Sequence, residues 1–134
     1  AQLEAAERIV RSRRRIFQRY MEGMRPLEEK GCLRLPLVED VRCCNGHIVH
    51  IITRSPAERR RLIEYLTEKG INAIFHYVPL HASPSGMKFG RVSGTMAVTE
   101  DLSDRLIRLP IFFDMRDEQV DRIVAELEVF FQGS

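Results

Sequence analysis

Nothing in this sequence approaches the roughly 18 to 20 consecutive apolar residues needed to cross a bilayer, and its charged, helical amino terminus holds no signal-peptide core. The expectation is a soluble, cytoplasmic protein without a membrane partner. Cysteine is scarce: Cys32, Cys43 and Cys44 are odd in number and lack Cys-x-x-Cys spacing. That excludes a disulfide framework and a zinc knuckle and leaves reduced, structural thiols. An excess of either charge is missing too, since 21 Lys plus Arg against 19 Asp plus Glu leave only +2. So small a balance points to no nucleic-acid partner from bulk charge. Also absent are the Gly-Lys-Ser/Thr end of a Walker loop, a dinucleotide fingerprint, internal repeats and low-complexity tracts. What remains is a chain of 134 residues, 44% hydrophobic and 30% charged, the balance of one globular domain able to bury a core.

The apolar spacing divides that domain into elements. From Gln2 to about Met24, Leu3, Ala6, Ile9, Val10, Ile16, Phe17, Tyr20 and Met24 fall near one face of a long amphipathic helix. It opens without a Ser, Thr, Asp or Asn cap, as a helix continuing a larger structure would. Pro26 and Gly31 punctuate its exit. Cys32 to Val38 alternates with period two and reads as a strand, which Pro36 confines to a sheet edge. After a turn near Asn45-Gly46, His47 to Thr53 reads as a second, more buried strand that pairs with the first. Ser55-Pro56-Ala57-Glu58 begins a helix, with Ser55 as cap, Pro56 in the first position and Glu58 completing a capping box. Gly70 stops it, and Ile71 to Tyr77 follows as a third strand.

Val78 to about Val98 has little periodicity and reads as a loop of about 20 residues, a length that usually serves a function. Thr99 then caps a short helix carrying Leu102 and Leu106, Arg108 to Phe113 is extended, and Asp114 caps a last helix with Val120, Ile123, Val124, Leu127 and Phe131 on one stripe. Its end, Leu127 to Gly133, also has the look of a protease-site tag, although Leu127 and Phe131 fit the stripe and leave only Gly133 and Ser134 in question.

The densest polar cluster is His76 to His81, at the end of the third strand, where a rigid element aims side chains into a loop. Imidazoles and a phenol can donate to phosphate or sugar oxygens. Composition alone favours the structural alternative, in which Tyr77 covers the core edge and one histidine bonds backbone. Lys88 and Arg91 lie in a Gly-rich stretch that could gather phosphate oxygens, with a solvated loop equally open. A metal centre is not expected: His47 and His50, three apart on a strand, would face opposite sides, and His76 and His81 lack a Cys or acidic partner. The run Arg11 to Arg15, with Arg8 and Arg19, gives the first helix a basic flank, but Glu4, Glu7 and Glu22 interrupt it and no aromatic platform accompanies it. A solvated or subunit-facing surface is therefore preferred to nucleic-acid binding.

The order His76-Tyr77-Val78-Pro79-Leu80-His81, then Gly86-Met87-Lys88-Phe89-Gly90, then Leu106-Ile107-Arg108-Leu109-Pro110, resembles the DegT/DnrJ/EryC1/StrS family of sugar aminotransferases. The opening Ala1-Gln2-Leu3-Glu4, followed by an Arg-rich helix ending near Tyr20, is similar to that family's helix between its large and small domains. The resemblance covers essentially the whole chain. It implies an α+β fold, the small carboxy-terminal domain of an aspartate-aminotransferase-like (fold type I) enzyme, with a small, mostly antiparallel sheet packed with helices. Residues 1–25 would be the linking helix and 32–132 the small α/β domain.

It further implies a pyridoxal phosphate enzyme, working as a homodimer, that moves an amino group from glutamate to a dTDP-4-keto-6-deoxy sugar for polysaccharide synthesis. The cofactor lysine belongs to the large domain, and Lys30, Lys69 and Lys88 occupy no matching position. The isolated chain would then be inactive and would hold no cofactor. By the same resemblance His76, Tyr77 and His81 line the nucleotide-sugar cleft, Lys88 and Arg91 are further candidates for its diphosphate, and no residue here is catalytic. The alternative is a stand-alone α+β interaction module that uses the basic first helix.

Overall fold

A computed structural model describes residues 2–38 and 44–133. After a 3-10 turn at Gln2–Ala5 come α1 (Ala6–Glu29), β1 (Leu33–Arg34), β2 (Val49–Thr53), α2 (Pro56–Glu68) and β3 (Ile74–Phe75). A 3-10 turn at Leu80–Ala82 then leads to α3 (Pro84–Phe89), α4 (Ala97–Arg105), β4 (Leu106–Leu109) and α5 (Asp117–Gln132). The four strands form one antiparallel sheet in the order β1-β2-β4-β3, an α+β arrangement with β1 at an edge and β2 inside, as their side chains suggested. Val49 and Ile51 of β2 and Ile107 and Leu109 of β4 alternate toward the helices and are buried. His50 and Arg108, paired in register, therefore lie on the opposite face.

One buried cluster within the chain gathers Ile16, Phe17, Tyr20 and Met24 of α1, Leu62 and Leu66 of α2, and Val120, Ile123 and Leu127 of α5. Helices α1 and α5 approach closely, since a Cβ at Gly23 would lie 3.1 Å from Val124 Cγ2. Across this seam Arg19 grips Asp121 through Nε at 2.7 Å and Nη2 at 2.6 Å, and Arg15 pairs with Asp117. Beneath it the buried Tyr20 hydroxyl donates to the Pro110 carbonyl at 2.9 Å, and burial pushes its pKa well above the usual tyrosine range.

Several boundaries differ from those expected. Helix α1 runs past Pro26 to Glu29 because Leu27 is buried, and it ends where Gly31, at φ +71°, lets Cys32 donate back to Leu27. Its buried face begins only at Ile16, and Leu3 is exposed. The alternation after Cys32 pairs only at Leu33–Arg34, and Leu37 is exposed. His47 precedes β2, and only Ile74–Phe75 of the third strand pairs. Thr99 lies inside α4, whose first amide instead donates to Thr95 Oγ1 at 3.2 Å. Leu106 belongs to β4, because pairing with Ile52 of β2 claims it and the strand sends Ile107 and Leu109 to the core. Asp114 sits in a turn, and α5 starts after Arg116, whose amide donates to Gln119 Oε1 at 2.9 Å.

At α2 Ser55 caps as expected, accepting from the Glu58 amide at 3.1 Å, but the Glu58 carboxylate reaches Arg54 rather than Ser55. Cys32 and Cys44 are free and half-buried, and Cys43 lies outside the described residues.

Candidate functional site

The stretch after β3 is not a structureless loop. Ser83 Oγ accepts from the Gly86 amide at 3.0 Å and donates to the Leu80 carbonyl at 2.7 Å, which caps α3 and folds it back on the 3-10 turn. Gly86 is the close-approach point, since a Cβ there would stand 1.6 Å from the Leu80 oxygen. Among the described residues, none between Val78 and Arg105 is buried, and Leu80, Met87 and Phe89 are exposed. This segment forms an outer lobe on the core.

His81 and Arg91 come together in the lobe, lining an open hollow of about 950 Å³ with Leu80, Met87, Phe89 and Val92. His81 is held from behind, with Nε2 3.1 Å from a Glu100 carboxylate oxygen on α4. An imidazole anchored on one nitrogen and a guanidinium can converge on an anion or on sugar hydroxyls, while the apolar wall can take a ring. Lys88 is not among the residues of that hollow: its ammonium lies 5.0 Å from the Phe89 ring centroid, a cation-π distance.

His76 and Tyr77 diverge. Tyr77, 75% exposed, borders a second hollow of about 430 Å³ with Arg59, Glu100 and Ser103. His76 borders a third, of about 510 Å³, with His47, His50, Phe17 and Leu106, although its ring centroid is only 4.8 Å from that of Tyr77. Successive residues leaving a strand point to opposite sides, which separates the neighbours.

Sequence reasoning missed two participants. Arg59 donates to the Ser103 carbonyl at 3.0 Å through Nη1, and its Nε is buried without a partner on the chain. In the sequence it stands undistinguished in Arg59-Arg60-Arg61. His50 was dismissed with His47 on strand parity. Because His47 lies before the strand begins, both reach the same hollow. Among the described residues no three His, Cys, Asp or Glu side chains are placed to hold a metal ion. Burial, and then the neighbouring His76, hold the His50 imidazole below its ordinary pKa.

The basic flank of α1 is largely engaged on the chain itself. Arg14 Nε donates to the Cys44 carbonyl at 2.6 Å, Arg15 and Arg19 face α5, and Arg8 lies over the Phe113 ring at 5.2 Å. No helix among the described residues is long and apolar enough to cross a membrane. None of the lysines lines any of the three hollows, and Lys69 pairs with Glu126 at 3.7 Å. A Schiff-base cofactor such as pyridoxal phosphate needs an amine beside its pocket, so these residues do not fit that group by themselves.

Comparison with known proteins places the chain. Residues 1–128 match the DegT/DnrJ/EryC1/StrS aminotransferase family. The dTDP-3-amino-3,4,6-trideoxy-alpha-D-glucose transaminase of Micromonospora megalomicea subsp. nigra is 26% identical over 127 residues, 92% of this chain and 33% of that protein. The dTDP-3-amino-3,6-dideoxy-alpha-D-galactopyranose transaminase of Aneurinibacillus thermoaerophilus is 27% identical over 113 residues, 84% of this chain and 29% of that protein. The crystal structure of S. venezuelae DesV in complex with a ketimine intermediate superposes with a TM-score of 0.83 at 21% identity, covering 97% of this chain and 34% of that one. The chain thus spans about a third of the relatives it matches, and its fold is that of fold-type I sugar aminotransferases. With the family pattern running through nearly its whole length, the chain belongs to the DegT/DnrJ/EryC1/StrS aminotransferase family.

Proposed function

We propose that this chain is the carboxy-terminal, substrate-side part of a nucleotide-sugar aminotransferase that moves an amino group from glutamate to a dTDP-4-keto-6-deoxy sugar. The product we favour is dTDP-4-amino-4,6-dideoxygalactose, on the strength of the His76 to His81 stretch followed by Lys88-Phe89-Gly90-Arg91. The observation that carries the reading is the family match over residues 1–128, and the names of the relatives support a dTDP-sugar as substrate. In the whole enzyme, a cytoplasmic homodimer, pyridoxal phosphate supplies the electron sink and is held by residues outside this chain. What this chain contributes is binding and orientation. His81, fixed by Glu100, and Arg91 hold diphosphate or sugar oxygens, Lys88 adds a cation at the rim, and Tyr77 and His76 extend the wall on either side. None of them is assigned a proton transfer.

The test uses the full-length protein with glutamate and the dTDP-4-keto sugar. His81→Ala and Arg91→Ala should each raise KM for the nucleotide sugar about tenfold, the loss of one charge-assisted hydrogen bond, and leave cofactor absorbance unchanged. His76→Ala should act in the same direction. Equal loss of cofactor and sugar binding, or no loss of either, would return these side chains to purely structural roles. Cofactor absorbance in the 134-residue chain alone would overturn the division of labour.

A further inference from the structure

The hollow bordered by His76 has a chemistry that the nucleotide-sugar reading does not use. Strand β4 lies between β2 and β3, with Arg108 opposite both His50 and Ile74. Two residues beyond Ile74 on the same face, His76 stands across Leu106 from β2. Both imidazoles thus border one cavity of about 510 Å³ on the sheet face opposite Val49 and Ile51, with Phe17 of α1, Val38 and Leu106 as apolar walls. Among the described residues no carboxylate borders it. His76 Nδ1 is buried and finds no partner on the chain. Buried polar atoms are ordinarily hydrogen-bonded, so this ring nitrogen is left to meet a partner from outside the chain.

We propose that His50 and His76 form a proton-linked site for a compact anion carrying an apolar flank, of the arylcarboxylate class. The carboxylate seats between the rings and the flank packs on Phe17 and Leu106. Each binding event takes one proton from solvent onto the imidazole pair, so bound anion and new imidazolium balance in charge. The depressed pKa of His50 fits this, because burial and then the neighbouring His76 disfavour its protonation in the empty site, and an anion between the rings offsets both. The other groups around His50 leave the sign unchanged. His47 before β2 is tied to Asn45 Oδ1 at 2.6 Å, Arg108 is its register partner, and Arg25, Arg34 and Glu28 border the adjoining hollow. Of these only Glu28 is acidic, and it accepts the Leu35 amide at 2.8 Å.

His76 also belongs to the proposed sugar wall, so the test avoids nucleotides altogether and uses the 134-residue chain, which holds one buried core cluster of its own. Calorimetric titration with benzoate at pH 7.5, 6.5 and 5.5 should give affinity rising up to about tenfold per unit, the slope of one linked proton. About one proton should be taken up per benzoate at pH 7.5, measured in two buffers of different ionisation enthalpy. Neutral benzamide should bind at least tenfold more weakly. His50→Gln and His76→Gln should each weaken benzoate about tenfold and flatten the pH profile. Should either variant fold poorly, proton uptake by the unaltered chain decides. No saturable benzoate binding, affinity independent of pH, or equal binding of benzamide would overturn the proposal. None of those results touches the KM test of His81 and Arg91, so the two readings fail separately.

Discussion

Replacing Gly86 with Ala perturbs the outer lobe without touching the core. The added Cβ would stand 1.6 Å from the Leu80 oxygen, where real Cβ contacts below 3.0 Å essentially never occur, so the two segments must part by about 1.4 Å (3.0 − 1.6). Three hydrogen bonds depend on that approach: Gly86 N–H to Ser83 Oγ, Ser83 Oγ to the Leu80 carbonyl, and Gly90 N–H to the Gly86 carbonyl. At about 0.5 to 1.5 kcal/mol each they amount to roughly 1.5 to 4.5 kcal/mol of local order. The lobe buries no side chain among the described residues and adds nothing to the core cluster, so the global transition should barely move, by less than about 2 °C. Hydrogen exchange followed by mass spectrometry should show amides 82–90 losing protection while those of α1, α2 and α5 keep theirs. In the full-length protein, nucleotide-sugar binding should weaken with no change in melting temperature. Unchanged protection at 82–90, or a fall of about 10 °C, would refute the picture of a lobe independent of the core.

Tyr20→Phe should cost about 1 to 2 kcal/mol in urea denaturation, since it leaves the Pro110 carbonyl without its donor. The same phenol predicts an alkaline limit. Its pKa is raised on folding, so its contribution is intact below the unfolded value of 10.0 and lost as pH climbs beyond it, and Tyr20→Phe should flatten that loss. His50 acts at the other end. Its folded pKa is lowered, so the unfolded chain binds more protons below the ordinary 6.5, and melting temperature should fall as pH drops from about 7 toward 5. His50→Gln should reduce that slope, and an unaltered slope would contradict it. Gly46→Ala places a side chain at φ +62° with its Cβ 2.8 Å from the Arg13 backbone, and should cost more than the roughly 1 to 2 kcal/mol of left-handed strain alone. A cost below that range would mean that the 44–48 turn can yield.

How much of this was legible depended on whether a local signal agreed with the burial around it. Helices α1, α2 and α5 carry stripes that the core uses, so their existence follows from spacing alone. Strand ends were overextended because pairing, not alternation, sets them. The residues 35–38 follow the pattern of β1 but have no partner strand among the described residues, and Leu37 stays exposed. Helix α3 was readable and overlooked, since Ser83-Pro84 repeats the Ser-Pro start of Ser55-Pro56, and only the lack of an apolar stripe concealed it. In the site, His81 and Arg91, which belong to separate clusters in the sequence, border one hollow because α3 folds back on the 3-10 turn. The parting of His76 from Tyr77, and the meeting of His76 with His50, depend on strand order β2-β4-β3, which no local pattern encodes. The same holds for Arg59, whose neighbour Ser103 lies 44 residues away.

The seam between α1 and α5 also sets an order of events in time. Arg19 and Asp121 are 102 residues apart, and the apolar contacts beside them are nearly as remote. Such contacts close late, because the entropy of closing a long loop is spent before any burial repays it. Helix α1 is therefore among the last elements of this domain to be covered. While α5 is still being synthesised, its Val120, Ile123, Val124 and Leu127 are missing from the buried cluster, so Ile16, Phe17, Tyr20, Met21 and Met24 should be more open to a chaperone than in the finished fold.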